Sequence, residues 1–201
     1  MKKESQTSNF LKYQGKSLIK NNPLKKFLIS LFFRKIYQEI KKTNPKKMID
    51  LGCGEGFLEK YLKSKNLNIE ITAVDINQEA LKYAKKNNPG VKFLAGDILN
   101  FKSQESFDLA VMLEVLEHLP THQKALKTAK GLSKKILVSV PWEPYFSWLY
   151  LLAGLNLKRR GKHPEHRQFF HPQTLKTLLK KYFRKVETKS NWPWLIAISQ
   201  N

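Results

Sequence analysis

One cysteine in 201 residues, Cys53, leaves no intrachain disulfide to form, and that fits a reducing compartment. Acidic residues are scarce, 16 against 37 Lys and Arg, for a formal net charge of +21. Arginine is scarce too: 5 of the basic residues are Arg and 32 are Lys. Planar, bidentate grip on phosphate favours Arg, so much of the Lys excess reads as solvated surface. No apolar stretch follows the N-terminal MKKESQTSNF, so no secretory signal is expected and the expected location is cytoplasmic. The longest leucine-rich run, Tyr145 to Leu157, holds 13 residues and is broken by Gly154 and Asn156. A helical membrane span needs roughly 20 apolar residues.

What is present is unevenly placed. Residues 1–47 carry 13 basic residues against 2 acids, residues 48–120 carry 8 against 11, and residues 121–201 carry 16 against 3. A basic skin around a mildly acidic middle suggests an anionic partner outside and a cationic or neutral ligand inside. Three of the arginines, Arg159, Arg160 and Arg167, cluster late in the chain.

Patterning predicts alternation from Lys47 onward. KMIDL, IEITAVD, VKFLAGD, FDLAVML and KKILVSVP read as strands, separated by helices at GEGFLEKYLKSK, NQEALKYAKKNN and THQKALKTAKGL. Thr121 is the expected N-cap of the third of these helices. PQTLKTLLKKYF reads as a further helix, and RKVETKS with WLIAIS as a closing antiparallel pair. Such spacing predicts βαβ units: an α/β, doubly wound, Rossmann-like, mostly parallel seven-stranded sheet with an antiparallel last strand. Residues 1–46 form a basic helical N-terminal extension. Within it Ile29, Phe32, Phe33, Ile36, Tyr37 and Ile40 make one apolar face, suited either to packing on the domain or to lying on an anionic membrane surface. Residues 47–201 form the main domain, with 141–171 inserted as a lid.

MIDLGCGEGFLEKYL puts Gly52, Gly54 and Gly56 between a strand and a helix, where the backbone turns tightly and approaches a ligand. The dinucleotide pattern G-x-G-x-x-G fails, because its last position falls on Phe57. The P-loop ending G-K-[ST] is absent. The pattern left is D-x-G-x-G-x-G, and the carboxylate of Asp50 beside the glycines suits a cation better than a pyrophosphate. At this point the chain resembles the class I S-adenosylmethionine-dependent methyltransferases, in order over residues 47–140. IDLGCGEG resembles that family's first motif, ITAVDIN the second, FLAGDIL the third and FDLAVMLEVLEHL the fourth. The resemblance implies that Asp50 and the backbone at Gly52, Gly54 and Gly56 hold the methionine end of the cofactor. It implies Asp75 at the ribose hydroxyls, Ile76 against the adenine, Asp97 at the adenine amine with Ile98 beside it, and Glu114 lining the site. The cofactor is a sulfonium cation bearing a diol, and carboxylates are its natural partners.

Candidate groups for the chemistry sit in EVLEHLP: Glu114, Glu117 and His118. On a helix they would share one face at the C-terminal end of strand four. His118 is expected as general base or acceptor contact. The triplet also resembles that of ubiquinone-pathway O-methyltransferases and small-RNA 3′-end methyltransferases, where it is associated with a divalent metal, so a Mg²⁺ at Glu114, Glu117 and His118 is a second expectation. In the lid, Trp142 and Tyr145 would supply apolar walls, and Arg159, Arg160, His166 and Arg167 an anion-binding rim. Hydrophobic-then-basic order suits an amphipathic small-molecule acceptor such as a quinone precursor, a lipid or a lipid-linked glycan, met at the inner face of a membrane. Nucleic acid is the alternative partner the charge allows. Cys53 has no base placed to make it a nucleophile.

Overall fold

The computed structural model describes residues 23–145, 147–148 and 167–201. Arg159, Arg160 and His166, and residues 1–22 of the N-terminal extension, lie outside the described residues. A long helix opens the described part, α1 (Pro23–Thr43). Next come β1 (Lys47–Leu51), α2 (Phe57–Ser64), β2 (Glu70–Asp75), α3 (Gln78–Asn87), β3 (Lys92–Ala95) and β4 (Leu109–Leu113). The chain continues through α4 (His122–Leu132), β5 (Lys135–Pro141), α5 (Pro172–Lys180), β6 (Lys185–Asn191) and β7 (Trp194–Gln200).

The strands form one sheet of seven, in the order β3-β2-β1-β4-β5-β7-β6. β1 lies parallel to β2 and β4, with Asp50 opposite Ala73 on one side and Val111 on the other. β7 alone runs backwards, antiparallel to both β5 and β6. β4 is buried throughout, and β1 is buried at every position except Lys47. Near-continuous apolar runs such as these belong to strands covered on both faces.

Side-chain alternation sorts the two faces. Met48, Leu109, Val111 and Leu137 pack with α1 and α2, whereas Ile49, Ala110, Met112 and Val138 pack with α4 and α5. α1 contributes Ile29, Phe32, Phe33, Ile36 and Ile40 to the first of these cores, all buried. The membrane-surface option for its apolar face is therefore corrected: that face is spent on the sheet. Among the described residues no helix is long and apolar enough to cross a membrane. Thr121 stands at the N-cap of α4 but its side chain makes no capping bond, whereas Asn77 caps α3 by accepting from the N–H groups of Glu79 and Ala80.

The strand order reverses between β1 and β4. In open α/β sheets the crevice at the carboxyl ends of such a pair carries the ligand. Asp50 is the penultimate residue of β1 and Glu114 follows β4, so both sit at the carboxyl ends of this pair.

Candidate functional site

Three glycines shape the loop after β1. Gly52, Gly54 and Gly56 all have positive φ, at 95°, 55° and 75°, a region costly to other residues. The N–H groups of Gly52 and Cys53 both donate to the carbonyl of Val74, which ties the loop to the end of β2. Gly54 N–H donates to Asp75 Oδ2 at 2.8 Å, and Asn77 N–H donates to Asp75 Oδ1 at 2.8 Å. Asp75 is fully buried and clasps the glycine loop to the start of α3. Asn88 completes the clamp, donating through Nδ2 to the carbonyls of Gly56 and Ala84.

Below this loop lies a carboxyl pair. Asp50 is buried at 3% exposure and Glu59, in the first turn of α2, at 0%. Asp50 Oδ1 and both oxygens of Glu59 find no donor. Burial, then the Glu59 charge and contact, then Asp75 push Asp50 well above the ordinary carboxylate range. Burial raises Glu59 to about 7, against the lowering effect of its contact with Asp50. An orphaned buried acceptor beside a glycine turn fits a cationic donor. Cys53 is buried too, and burial with Glu59, Asp50 and Asp75 holds its thiol well above normal. Thiolate chemistry has no support there.

On the adenine side of the expected pattern, Ile76 is half-buried after β2. Asp97 is half-buried and turns the chain after β3, accepting from Leu99 N–H and from Asn100 Nδ2. Ile98 is fully buried, in the core with Ile49, Val74 and Ala110.

The turn after β4 also differs from expectation. Glu114 has φ 55°, in the left-handed region, and Leu116–His118 is a short 3-10 turn. Glu114, Glu117 and His118 therefore do not share one face of an α-helix. Glu114 Oε1 accepts from Ser139 Oγ at 2.8 Å and Oε2 from Trp194 Nε1 at 3.1 Å, while its N–H donates to Ser139. Through these bonds to β5 and β7, Glu114 secures the corner. Burial raises its pKa to about 8 even against those two hydrogen bonds. Glu117 is fully buried, neither carboxyl oxygen meets a donor, and burial with the Glu114 charge pushes it well above the ordinary range. His118 Nε2 lies 3.6 Å from Glu117 Oε1. Among the described residues no group of three or more His, Cys, Asp or Glu is arranged to hold a metal.

Residues on either side of the expected lid are fastened to the body of the domain. Trp142 bridges Phe170 in parallel and donates its N–H to the carbonyl of Pro193. Arg167 and Gln168 donate their N–H groups to the carbonyl of Glu117 at 2.8 and 3.2 Å. Trp142, Tyr145 and Trp148 form a ladder of edge contacts, with ring centroids 4.9 and 5.7 Å apart. The ladder rises from half-buried Trp142 to Trp148, 56% exposed, and Arg167 is exposed at the other end of the lid.

Glu59 and Asn88 are the functional positions that sequence reading missed. Glu59 had a signal: on α2 it lies three residues before Leu62 and beside Leu58, so a carboxylate falls on the apolar face and requires a partner. Asn88, in the helix-closing NNPG, carried none beyond its turn-forming neighbours.

Comparison with known proteins places the fold. The sequence family described as a methyltransferase domain matches residues 42–186. The ubiquinone biosynthesis O-methyltransferase of Coxiella burnetii is 29% identical over 142 residues, which cover 65% of this chain and 59% of that protein. The chain thus spans less than two thirds of that relative's length. Among solved structures, the plantazolicin methyltransferase BpumL in complex with SAH superposes with a TM-score of 0.72 at 16% identity, covering 98% of this chain and 94% of that one. The methyltransferase domain of bacterial CtHen1-C superposes at 0.70 with 24% identity, covering 86% and 98%. At such identities the two structures speak to the fold.

Proposed function

This chain belongs to the class I S-adenosylmethionine-dependent methyltransferases, and from that premise we propose that it methylates an oxygen of an amphipathic small molecule. A quinone precursor, a lipid or a lipid-linked glycan would qualify. The observation that carries the reading is the aromatic ladder Trp142–Tyr145–Trp148 after β5, at the root of the lid. Likeness to ubiquinone biosynthesis O-methyltransferases supports oxygen as the accepting atom.

When bound, S-adenosylmethionine supplies a methyl group on a cationic sulfur, open to in-line displacement. Asp50 would hold the ammonium end, with the backbone of Gly52, Gly54 and Gly56 lining it. Asp75 would meet the ribose hydroxyls, Ile76 would flank the base, and Asp97 with the backbone of Ile98 would meet the adenine amine. His118 takes the acceptor's proton as general base, with Glu117 beside it as the group that orients it. Trp142 and Tyr145 hold the apolar part of the acceptor, and Arg167 an anionic part. Arg159, Arg160 and His166 would extend that rim. The setting is the cytoplasmic side of a membrane, approached by the lid aromatics and not by α1.

A second reading, methylation of RNA, has one observation in its favour. An open groove of about 710 Å³ between Leu99–Ser103 and α4 is lined by Lys102, Lys124 and Lys127 with no acid in its wall. The deciding experiment offers labelled cofactor with three acceptors: a prenylated phenol in vesicles, the vesicle lipids alone, and structured RNA. Label in the phenol or lipid fraction is expected, and label in RNA alone would replace this reading with the second. His118→Ala should cut turnover ~10²-fold or more with S-adenosylhomocysteine affinity unchanged. Full turnover in that variant would remove His118 from the chemistry.

A further inference from the structure

Two carboxyl groups sealed side by side pose a charge problem that the methionine-end loop alone does not resolve. Asp50 reaches α2 from β1, because it shares the sheet face of Met48, and Glu59 meets it there. Their charged and titratable neighbours are Asp75 from β2 and Cys53 from the glycine loop. From α1 come the aromatic rings of Phe33 and Tyr37, which pack on Tyr61 of α2. Among the described residues no Lys or Arg forms an ion pair with either carboxyl. Two adjacent negative charges in such a site cannot both persist, so the pair holds protons in common and titrates as a unit.

We infer that Glu59 is a positioning residue that shares protons with Asp50 in the free protein, and that binding of the cofactor's ammonium group to Asp50 releases one of them. The inference rests on the reading of Asp50 as the ammonium acceptor. In the free protein near neutrality the pair carries between one and two protons, in keeping with a Glu59 pKa of about 7. An ammonium at Oδ1 favours the form with a single negative charge. The doubly protonated pair then becomes an Asp50 carboxylate accepting a hydrogen bond from the Glu59 carboxyl, and the lost proton passes to solvent. The remaining proton orients Asp50 and keeps its unpartnered oxygen toward the crevice. Affinity should therefore rise with pH, by up to ~10-fold per pH unit below the pair's pKa, and level off above it.

The test is calorimetric titration with S-adenosylhomocysteine from about pH 6 to pH 8, in buffers of different ionisation enthalpy. The ligand's own amine, near ~7.7–8.0, titrates identically with every variant. Wild-type protein should release a fraction of a proton on binding at the acid end, with the predicted pH slope. Glu59→Gln leaves Asp50 as the one titrating carboxyl of the pair, so any remaining release comes from Asp50 alone and its pH dependence should move away from that of wild type. The same proton count and slope in Glu59→Gln as in wild type would overturn the inference. Asp50→Asn separates the two ideas: retained affinity there sinks the reading of Asp50, whatever Glu59 does. Should Glu59→Gln not fold, infrared difference spectra of the wild-type protein decide. Loss of a protonated-carboxyl stretch on ligand addition is expected, and an unchanged carboxyl region would overturn the proposal.

Discussion

Gly52 carries more of the site than its size suggests. A Cβ there would lie 2.6 Å from Cγ2 of Val115, and the backbone already runs at φ 95°. Val115 is fully buried at the turn after β4, so it has no room to retreat. Gly52→Ala should cost ~1–3 kcal/mol in backbone strain and a similar ~1–3 kcal/mol in overpacking, read by urea denaturation. Gly90→Ala is the reference: its φ is similar, at 90°, but nothing lies within 4 Å, so only the first cost applies. A Gly52 variant no less stable than the Gly90 variant would mean that the two loops do not press together. At this scale the sequence was legible where a residue type is forced by backbone geometry, as with the three glycines. It was illegible where the need comes from a neighbour far away in the chain, as with Asn88 reaching back to Gly56.

Between elements, α1 and β6 are joined through a single buried carboxylate. Glu39 Oε2 accepts from Lys189 Nζ at 2.9 Å, and Oε1 from Lys42 Nζ at 3.1 Å. Burial alone would raise its pKa, but the lysines outweigh burial and hold it below the ordinary value. Because the lysine side chains remain 26% and 64% exposed, removing their partner leaves them able to meet water. Glu39→Ala should then cost about 1–3 kcal/mol, and a double-mutant cycle with Lys189→Ala should recover most of it as coupling. Additive losses would show that the pair is only a surface contact. α1 matters further along: Phe32 packs on Trp194 at 4.8 Å, and Trp194 donates to Glu114. The N-terminal helix thus supports the corner that aims the His118 turn. Amphipathic spacing showed that α1 had an apolar face, but spacing cannot show what covers a face, since a sheet and a lipid surface demand the same pattern.

For the molecule as a whole, buried carboxyls set an unusual pH dependence. Glu114 moves from 4.5 to about 8 on folding, and Glu59 from 4.5 to about 7. A folded acid whose pKa is raised binds its proton more tightly than the unfolded chain does. Its contribution is complete below the unfolded value and is lost as pH rises through the folded one. Stability of the ligand-free protein should therefore decline from about pH 5 to pH 8. Glu114→Gln, which keeps the shape and drops the titration, should flatten that decline by an amount on the order of a few kcal/mol. Thermal melts across the range measure it, and a wild-type profile that rises toward pH 8 would contradict it. The acid limb belongs to Glu39 and Asp108, whose pKa values are lowered. Protonated buried acids also make the net charge at neutrality higher than the formal +21.

The order of strands and helices, the glycine loop and the acids that end β1 and β2 were determined by the sequence alone. Each is local: periodicity, turn chemistry and residue type act within a few positions, and four motifs in register leave few folds that accommodate them. Tertiary structure decided the rest. The left-handed backbone at Glu114 broke the helical face expected of Glu114, Glu117 and His118. Ser139 and Trp194, 25 and 80 residues away, hold the Glu114 carboxyl at the corner. Glu59 was joined to Asp50 by the packing of α2 on the sheet. Burial and pairing depend on which distant segments meet, and a carboxylate's chemistry depends on both.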